Sequence, residues 1–148
     1  MEIPLEAAVK FLAAQPFSRH LNARLTAFGG RSATLEVELT GNHLQQHGYV
    51  HGGVLSYAAD NAITFAAGTM LGPNILTSGL SIEYLAPAQG VLIRATASVV
   101  HSSSRRVTCR CDVHAIDGDG TGLLCAVAQG TVVARSTATV NGLHHDGS

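Results

Sequence analysis

The sequence predicts an α+β domain in which one buried helix packs on one antiparallel sheet. Apolar residues occupy almost every face of the segment from Val54 to Leu71, and a helix that is apolar all round is a buried one. The flanking segments alternate between apolar and polar residues with a period of two, which is typical of half-buried strands. Because successive strands are joined by short connections, antiparallel pairing is favoured, and the helix and the sheet form two layers.

Each element follows from its own pattern. Apolar residues at helical spacing predict a short amphipathic helix near the N-terminus, with Pro16 beyond its end. Gly29 and Gly30 supply a hairpin turn between the first two strands. The predicted elements in chain order are a helix at 4–14, strands at 21–28 and 33–40, a loop at 41–50, the buried helix at 54–71, and strands at 75–85, 91–101, 106–116 and 123–134.

The length of 148 residues predicts one domain. We assign residues 1–135 to it, with residues 1–20 as an N-terminal helix and lead-in. Residues 136–148 are polar and are expected to form a flexible tail.

The composition predicts an oligomer. Hydrophobic residues make up 46% of the chain and charged residues only 13%, whereas charged residues usually contribute about 25%. Part of the surface should therefore be buried, in an oligomer or in a membrane. A membrane helix needs about 18 or more apolar residues without interruption, and the most apolar stretch contains His51 and Asp60. We therefore expect an oligomer and no membrane association.

Charge and cysteine content exclude further classes. The net charge is −1, so no basic patch is expected to follow a nucleic-acid backbone. The N-terminal sequence MEIPLEAAVK lacks the basic and apolar regions of a secretory signal. Three cysteines form no disulfide framework and fit a reducing compartment. These features predict a cytoplasmic protein.

The densest chemical signal is the segment QQHGYVHGGVLSYAAD, which spans residues 45–60. Asp60 is the only acidic residue between Glu38 and Glu83, and it lies in the helix that should be most buried. Burial of an unpaired carboxylate is costly, so the side chain is expected either to have a chemical role or to reach solvent at a subunit edge.

Gly52 and Gly53 stand immediately before the predicted helix. The first N–H groups of a helix lack partners within the helix and can hold a developing oxyanion. Asp60 lies about 12 Å further along the axis, at about 1.5 Å per residue. This separation suggests that a second copy of the chain brings the two groups together. Thr64 lies on the same helix face as Asp60 and is expected to orient the carboxylate or a water.

The segment HGGVLSYAADNA resembles the signature of the hotdog-fold acyl-CoA thioesterases, in the branch of the phenylacetate-pathway and 4-hydroxybenzoyl-CoA enzymes. SIEYLAPAQG, residues 81–90, is similar to the strand and turn that follow the helix in this family. The resemblance implies a long central helix wrapped by a curved antiparallel sheet. It also implies homodimers, often paired into tetramers, that hydrolyse acyl-CoA without a metal or redox cofactor.

The resemblance implies a role for several residues. Asp60 would act as nucleophile or general base on water, and the N–H of Gly52 or Gly53, preferably Gly52, would polarise the thioester carbonyl. The upstream amide would be Gln45, where the phenylacetate-type enzymes usually have Asn. The remaining candidates for the catalytic centre and its surroundings are Thr64, Thr77 and, as an alternative to Thr77, Ser78.

Other residues allow two interpretations each. Arg105 and Arg106 could grip the phosphates of coenzyme A or form an ordinary solvated loop pair. His51 could contact substrate or form a local hydrogen bond at the helix start. The spacing of His43, His47 and His51 would suit a metal on a helix, but glycines interrupt any helix there, so no metal is expected. Cys109 and Cys111 are expected to fill the core. Aromatic and apolar residues that could line an acyl pocket, or simply fill the core, are Phe28, Leu55, Tyr57 and Phe65.

Two alternatives to a thioesterase stay open. A non-catalytic module that binds or senses acyl-CoA would bind the ligand without releasing free thiol. A hotdog hydratase or dehydratase would carry a motif such as G-D-x-N-P-x-H, which this chain lacks. The acyl group that the resemblance suggests is aromatic or of medium chain length.

Overall fold

A computed structural model describes residues 2–136 of the chain. The tail predicted from residue 136 onward therefore lies, except for Ser136, outside the described residues. The elements are α1 (Leu5–Ala13), α2 (Pro16–His20), β1 (Ala23–Gly29), β2 (Ser32–Glu38), a short 3-10 turn (Gly41–His43), α3 (Gly52–Leu71), β3 (Ile75–Tyr84), β4 (Leu92–Ser102), β5 (Arg106–Ile116) and β6 (Gly122–Ala134).

The six strands form one antiparallel sheet in the order β1-β2-β4-β5-β6-β3. The predicted α+β architecture is confirmed. One detail of the expected pairing is wrong, because β3 pairs with β6 and not with its successor β4. The helix α3 follows β2 and carries the chain across the sheet to the opposite edge. The chain then returns, so that β4 pairs with β2.

The core lies between α3 and one face of the sheet. Ala58, Ala62 and Ile63 of α3 are fully buried, and the small alanines allow close approach of the helix to the strands. The alternating sequence of residues 106–116 predicts that Val107, Cys109, Cys111, Val113 and Ala115 face inward, and the structure confirms this. These side chains are fully or almost fully buried.

The mostly apolar sequence of residues 123–134 predicts a strand that is largely buried, and this prediction is wrong at the start of the strand. Leu123 is 53% exposed and Leu124 is 37% exposed. Both residues lie in the first part of β6, next to the turn that precedes the strand. Further along the strand, Cys125, Ala126 and Val132 are buried.

The N-terminal region holds one more helix than the sequence pattern predicts. The first helix is confirmed as α1, and Pro16 lies beyond its end as predicted, but Pro16 is also the first residue of a second helix, α2. Proline is favoured at the first position of a helix because its missing N–H would lack a partner there. The predicted hairpin is also present, and Gly29 and Gly30 turn with positive φ angles of 128° and 60°. None of the described helices is long and apolar enough to cross a membrane.

Candidate active site

The Asp60 carboxylate is half-buried on α3 and faces the start of the edge strand β3. The hydroxyl of Thr77 donates a hydrogen bond of 2.7 Å to Asp60 Oδ1. A hydrogen bond to an ionised group is stronger than one between neutral groups, and it fixes the direction of the acceptor. Thr77 therefore holds one carboxylate oxygen in place.

Thr64 acts on this pair from one helical turn further along. Its hydroxyl lies 2.9 Å from the backbone carbonyl oxygen of Asp60 and 3.0 Å from Thr77 Oγ1. Thr64, which we expected to orient the carboxylate or a water, therefore contacts Thr77 and the Asp60 backbone and does not contact the Asp60 side chain.

A cavity of about 300 Å³ opens at the Asp60 carboxylate. The sequence patterns did not indicate its N-terminal wall, which is formed by Gln15 and by α2. The cavity is lined by Gln15, Phe17, Ser18, Tyr57, Asp60, Asn61, Thr64, Ile75, Leu76 and Thr77.

Four of these side chains form a hydrogen-bond network. The Tyr57 hydroxyl donates to Ser18 Oγ at 2.6 Å, and Ser18 Oγ donates to Gln15 Oε1 at 2.5 Å. Asn61 Nδ2 lies 3.0 Å from both Gln15 Oε1 and the Tyr57 hydroxyl oxygen, and 3.2 Å from Ser18 Oγ. Burial raises the pKa of Tyr57, so its hydroxyl remains a protonated donor. The network ties α2 and its N-cap Gln15 to α3 beside Asp60.

Sequence reasoning missed Gln15, Ser18 and Asn61. The one signal in the chain is that Tyr57 and Asn61 are four residues apart on α3, which places two polar groups on one face of a mostly apolar helix. Their partners could not be found without knowing where α2 packs.

The start of α3 forms a second region. Gly52 and Gly53 are the first residues of the helix, whereas the sequence pattern placed them just before it. His51 caps the helix, and its Nδ1 accepts a 2.8 Å hydrogen bond from Gly53 N–H. Among the described residues, none accepts a hydrogen bond from Gly52 N–H. Of the two glycines, Gly52 therefore offers the free donor.

Gln45 and Gly52 line the same cavity, which has a volume of about 370 Å³. A tight turn holds its backbone, since Gln45 N–H donates to Tyr49 O at 2.8 Å and Gly48 N–H donates to Gln45 O at 3.0 Å. Its side-chain oxygen accepts from His47 N–H. The side-chain NH₂ forms no hydrogen bond within residues 2–136, so it can donate into the cavity.

One chain does not bring these two regions together. The cavity at Asp60 and the cavity at Gly52 share no lining residue. They lie at opposite ends of β3, since Thr77 contacts Asp60 near its start and the Tyr84 hydroxyl donates to Gly52 O at 3.3 Å at its end. The separation of about 12 Å along the helix axis is that expected from the sequence.

The other predicted site residues lie elsewhere. Ser78 Oγ donates to Thr131 O at 3.2 Å on β6, so it does not contact Asp60. Arg105 lies in the turn before β5 and Arg106 is the first residue of β5, and both are exposed. Their side chains lie at the end of the sheet that also holds Thr77, because Arg106 and Leu76 both pair with Val133.

The histidines and cysteines have local roles. No three His, Cys, Asp or Glu side chains within residues 2–136 are grouped as metal ligands. His43 is buried, and its Nδ1 accepts from Thr40 N–H at 3.0 Å. Burial lowers the pKa of His43, and the nearby His20 lowers it further. Burial raises the pKa of Cys109 to about 11 and that of Cys111 to about 12, so both thiols stay protonated in the core.

Comparison with known proteins identifies the family. The sequence profile of the thioesterase superfamily matches residues 47–121, which include the start of α3, Asp60 and Thr77. A thioesterase family protein from Silicibacter pomeroyi superposes with a TM-score of 0.80 at 26% identity, covering 84% of this chain and 93% of that one. A mutant of the phenylacetic acid degradation protein PaaI from Thermus thermophilus gives a TM-score of 0.72 at 30% identity, covering 82% and 100%.

The chain belongs to the thioesterase superfamily, and the predicted hotdog fold is confirmed. A 1,4-dihydroxy-2-naphthoyl-CoA hydrolase from Listeria monocytogenes is 35% identical over 71 residues. This match covers 47% of the chain and 58% of the hydrolase, so the chain spans little more than half of the length of this curated relative.

Proposed function

We propose that the protein hydrolyses acyl-CoA thioesters to the free acid and coenzyme A, with Asp60 as the catalytic carboxylate. The observation that carries this proposal is the position of Asp60. Its carboxylate lies at the wall of an open cavity, and the Thr77 hydroxyl donates to one of its oxygens at 2.7 Å. The family membership of the chain supports the same chemistry.

The reaction needs an attacking oxygen and a polarised carbonyl. Asp60 attacks the thioester carbonyl carbon directly, or it removes a proton from a water that attacks. The C–S bond then breaks, and the thiolate of coenzyme A leaves without a strong acid because sulfur stabilises the charge. Water supplies the oxygen and the protons that balance the acid and thiol products.

A second copy of the chain supplies the polarising donors. The strand β3 lies at an edge of the sheet, where backbone groups can pair with another chain. If two copies join antiparallel along β3 about a two-fold axis, the Thr77 end of one strand meets the Tyr84 end of the other. Gly52 N–H and the Gln45 amide of one copy then face Asp60 of the other, where they stabilise the oxyanion.

The exposed side chains of β3 support this dimer. Leu76 is 58% exposed and Tyr84 is 54% exposed, and a second copy would cover both. A surface that is buried in a dimer needs few charged residues, which accounts for part of the low charge content of the chain. We expect such dimers to pair again into tetramers. We also expect a cytoplasmic location, for which three free and buried cysteines are suited.

For the substrate, we propose an aromatic or medium-chain acyl group on coenzyme A. Phe17 and Tyr57 pack edge to face beside the Asp60 cavity, with ring centroids 5.5 Å apart. The naphthoyl-CoA hydrolase shows that one relative acts on an aromatic thioester. Arg105 and Arg106 lie at the end of the sheet nearest to Asp60, so we assign the coenzyme A phosphates to them.

The test is the release of free thiol from a panel of aryl-CoA and alkyl-CoA thioesters. We expect the wild type to turn over at least one class, and the Asp60→Asn variant to lose about 10²-fold or more of kcat. If the wild type binds these thioesters without releasing thiol from any of them, the protein is a non-catalytic binding module and the proposal fails.

A further inference from the structure

A third cavity, here called the α1 cavity, lies between α1 and α3, and the proposed chemistry does not use it. Its volume is about 220 Å³. Its apolar wall includes Phe11 of α1, Phe28 of β1 and Phe65 of α3. The rings of Phe28 and Phe65 pack edge to face with centroids 6.3 Å apart. The cavity is therefore suited to hydrocarbon.

The α1 cavity continues from the cavity at Asp60. Gln15, Thr64 and Ile75 line both cavities and form the junction between them. Gln15 is held in this position because its Oε1 accepts hydrogen bonds from Ser18 and Asn61. A group attached to a carbonyl at Asp60 can therefore extend past Gln15 into the α1 cavity.

Two helical stripes form the walls of this path. Asp60, Thr64 and Gly68 are spaced by four residues along one face of α3, so the path from Asp60 to Gly68 is about 12 Å long. Ala8 and Phe11 of α1 line the opposite wall, with Gln15 one turn further along. A side chain larger than glycine at position 68 would project into the path.

We infer that the α1 cavity holds the apolar acyl group of the thioester and that Gly68 sets its permitted size. This inference rests on the proposed function, since it places the carbonyl at Asp60. A cavity of about 150 Å³ lined by apolar side chains can hold benzene. The α1 cavity, at about 220 Å³, therefore accommodates one ring with a short linker or a medium-length alkyl chain, which share the same hydrocarbon chemistry.

The variant that tests this inference is Gly68→Ala. A Cβ atom at position 68 would lie 3.6 Å from Ile75 Cδ1, an ordinary contact, so the variant is expected to fold. Gly118→Ala is the matched control, because nothing lies within 4 Å of a Cβ atom at that position in the turn before β6. The thermal midpoints of both variants are measured first, to compare their folding with that of the wild type.

Thiol release is measured for acetyl-, butyryl-, hexanoyl-, octanoyl-, benzoyl- and phenylacetyl-CoA. We expect wild-type kcat/KM to rise by about fourfold per methylene until the cavity is full. Gly68→Ala should lose about tenfold on hexanoyl- and phenylacetyl-CoA, while its value for acetyl-CoA stays within about twofold. Comparison of kcat/KM between the alkyl and aryl thioesters shows whether the cavity prefers an alkyl chain or an aromatic ring.

Binding of non-hydrolysable S-alkyl-CoA and S-benzyl-CoA thioethers is measured in parallel by calorimetry. The inference is supported if the affinity of the thioethers depends on the size of their apolar group and if Gly68→Ala lowers the largest size that still binds. This result would support the inference even if no thioester is hydrolysed and the proposed activity fails. Hydrolysis with the same size profile in the wild type and Gly68→Ala overturns the inference and leaves the activity intact. Absence of thioether binding, or binding that is indifferent to chain length, also overturns it.

Discussion

Two positions on α3, Gly52 at its start and Asp60 near its middle, carry different kinds of chemical group, and we call them the donor end and the carboxylate end of the proposed site. At Asp60, a side chain carries the reactive oxygen, the hydroxyl of Thr77 on β3 donates to the carboxylate, and a polar network fixes α2 beside it. At Gly52, the functional group is a backbone N–H. The capping residue His51 leaves this group free because its Nδ1 accepts from the following N–H, that of Gly53. The carboxylate end therefore depends on residue identity, whereas the donor end depends on backbone geometry.

The two ends also have different local supports, although β3 contacts both of them, through Thr77 and through Tyr84. The donor end is tied to the 41–50 loop, where His51 N–H donates to His43 O at 2.8 Å and Val50 N–H donates to Ala88 O at 2.9 Å. The carboxylate end rests on β3 and on α2. Changes at one end should therefore leave the local structure of the other end intact, and each of the following variants tests this independence.

The largest effect is expected at Asp60. Asp60→Asn preserves the shape of the side chain and its capacity to accept the hydrogen bond from the Thr77 hydroxyl. It removes the carboxylate that would act as nucleophile or as general base. We expect kcat for thiol release to fall by about 10²–10⁴-fold. Asp112→Asn, an exposed aspartate on β5, is the matched control and should keep wild-type rates. Equal loss in both variants would contradict a specific role for Asp60.

The second effect tests the donor end. Gly52→Pro removes the N–H at the first position of α3, where proline is tolerated, and the extended His51 (φ −59°, ψ 136°) is compatible with a following proline. We expect kcat to fall by about 10²–10³-fold. Gly52→Ala adds a Cβ at an ordinary distance of 3.4 Å from the Tyr84 ring and keeps the N–H, so it should lose far less.

A smaller effect is expected at Thr77. Thr77→Val removes the hydrogen bond to Asp60 Oδ1 while keeping a β-branched side chain on the strand. We expect kcat to fall by about tenfold, because the carboxylate is no longer held in place, while KM changes little. Thr77→Ser should restore most of the rate. Thr108→Val, which breaks a hydroxyl pair with Thr131 on the sheet, is the control that should not affect kcat.

The smallest effect concerns stability near the donor end. The pKa of His43 is lowered in the folded protein from an ordinary value of 6.5, so the unfolded chain binds this proton more readily. The contribution of His43 to the free energy of unfolding should therefore be fully present above about pH 6.5, and it should decrease as the pH falls below this value. His43→Gln can still accept from Thr40 N–H. Urea unfolding between pH 8 and 5 should give a shallower decline for this variant than for the wild type, and parallel curves would contradict the assignment.

Most elements of the fold could be predicted because their signals are local. The apolar α3 and the alternation on β5 each lie within one segment, and the structure confirms both. The pairing of β3 with β6 depends on how the chain crosses the sheet, which no local pattern records. The helix α2 was missed because a proline is compatible with either the end or the start of a helix.

The candidate site divides in the same way. A lone acidic residue in an apolar helix marks Asp60, and two glycines mark the helix start. That Gly53 N–H is occupied and Gly52 N–H is free depends on the rotamer of His51, which sequence does not reveal. The network of Gln15, Ser18 and Asn61 joins residues more than 40 positions apart, so it required the packed structure.

The central claim is that each active site combines the carboxylate end of one chain with the donor end of another. The most direct test is to refold Asp60→Asn and Gly52→Pro chains together and to measure thiol release. Mixed dimers contain one intact site, so an equal mixture should regain about a quarter of wild-type activity, well above either parent. A mixture no more active than the average of the two variants would show that each chain works with its own groups and would contradict the shared site.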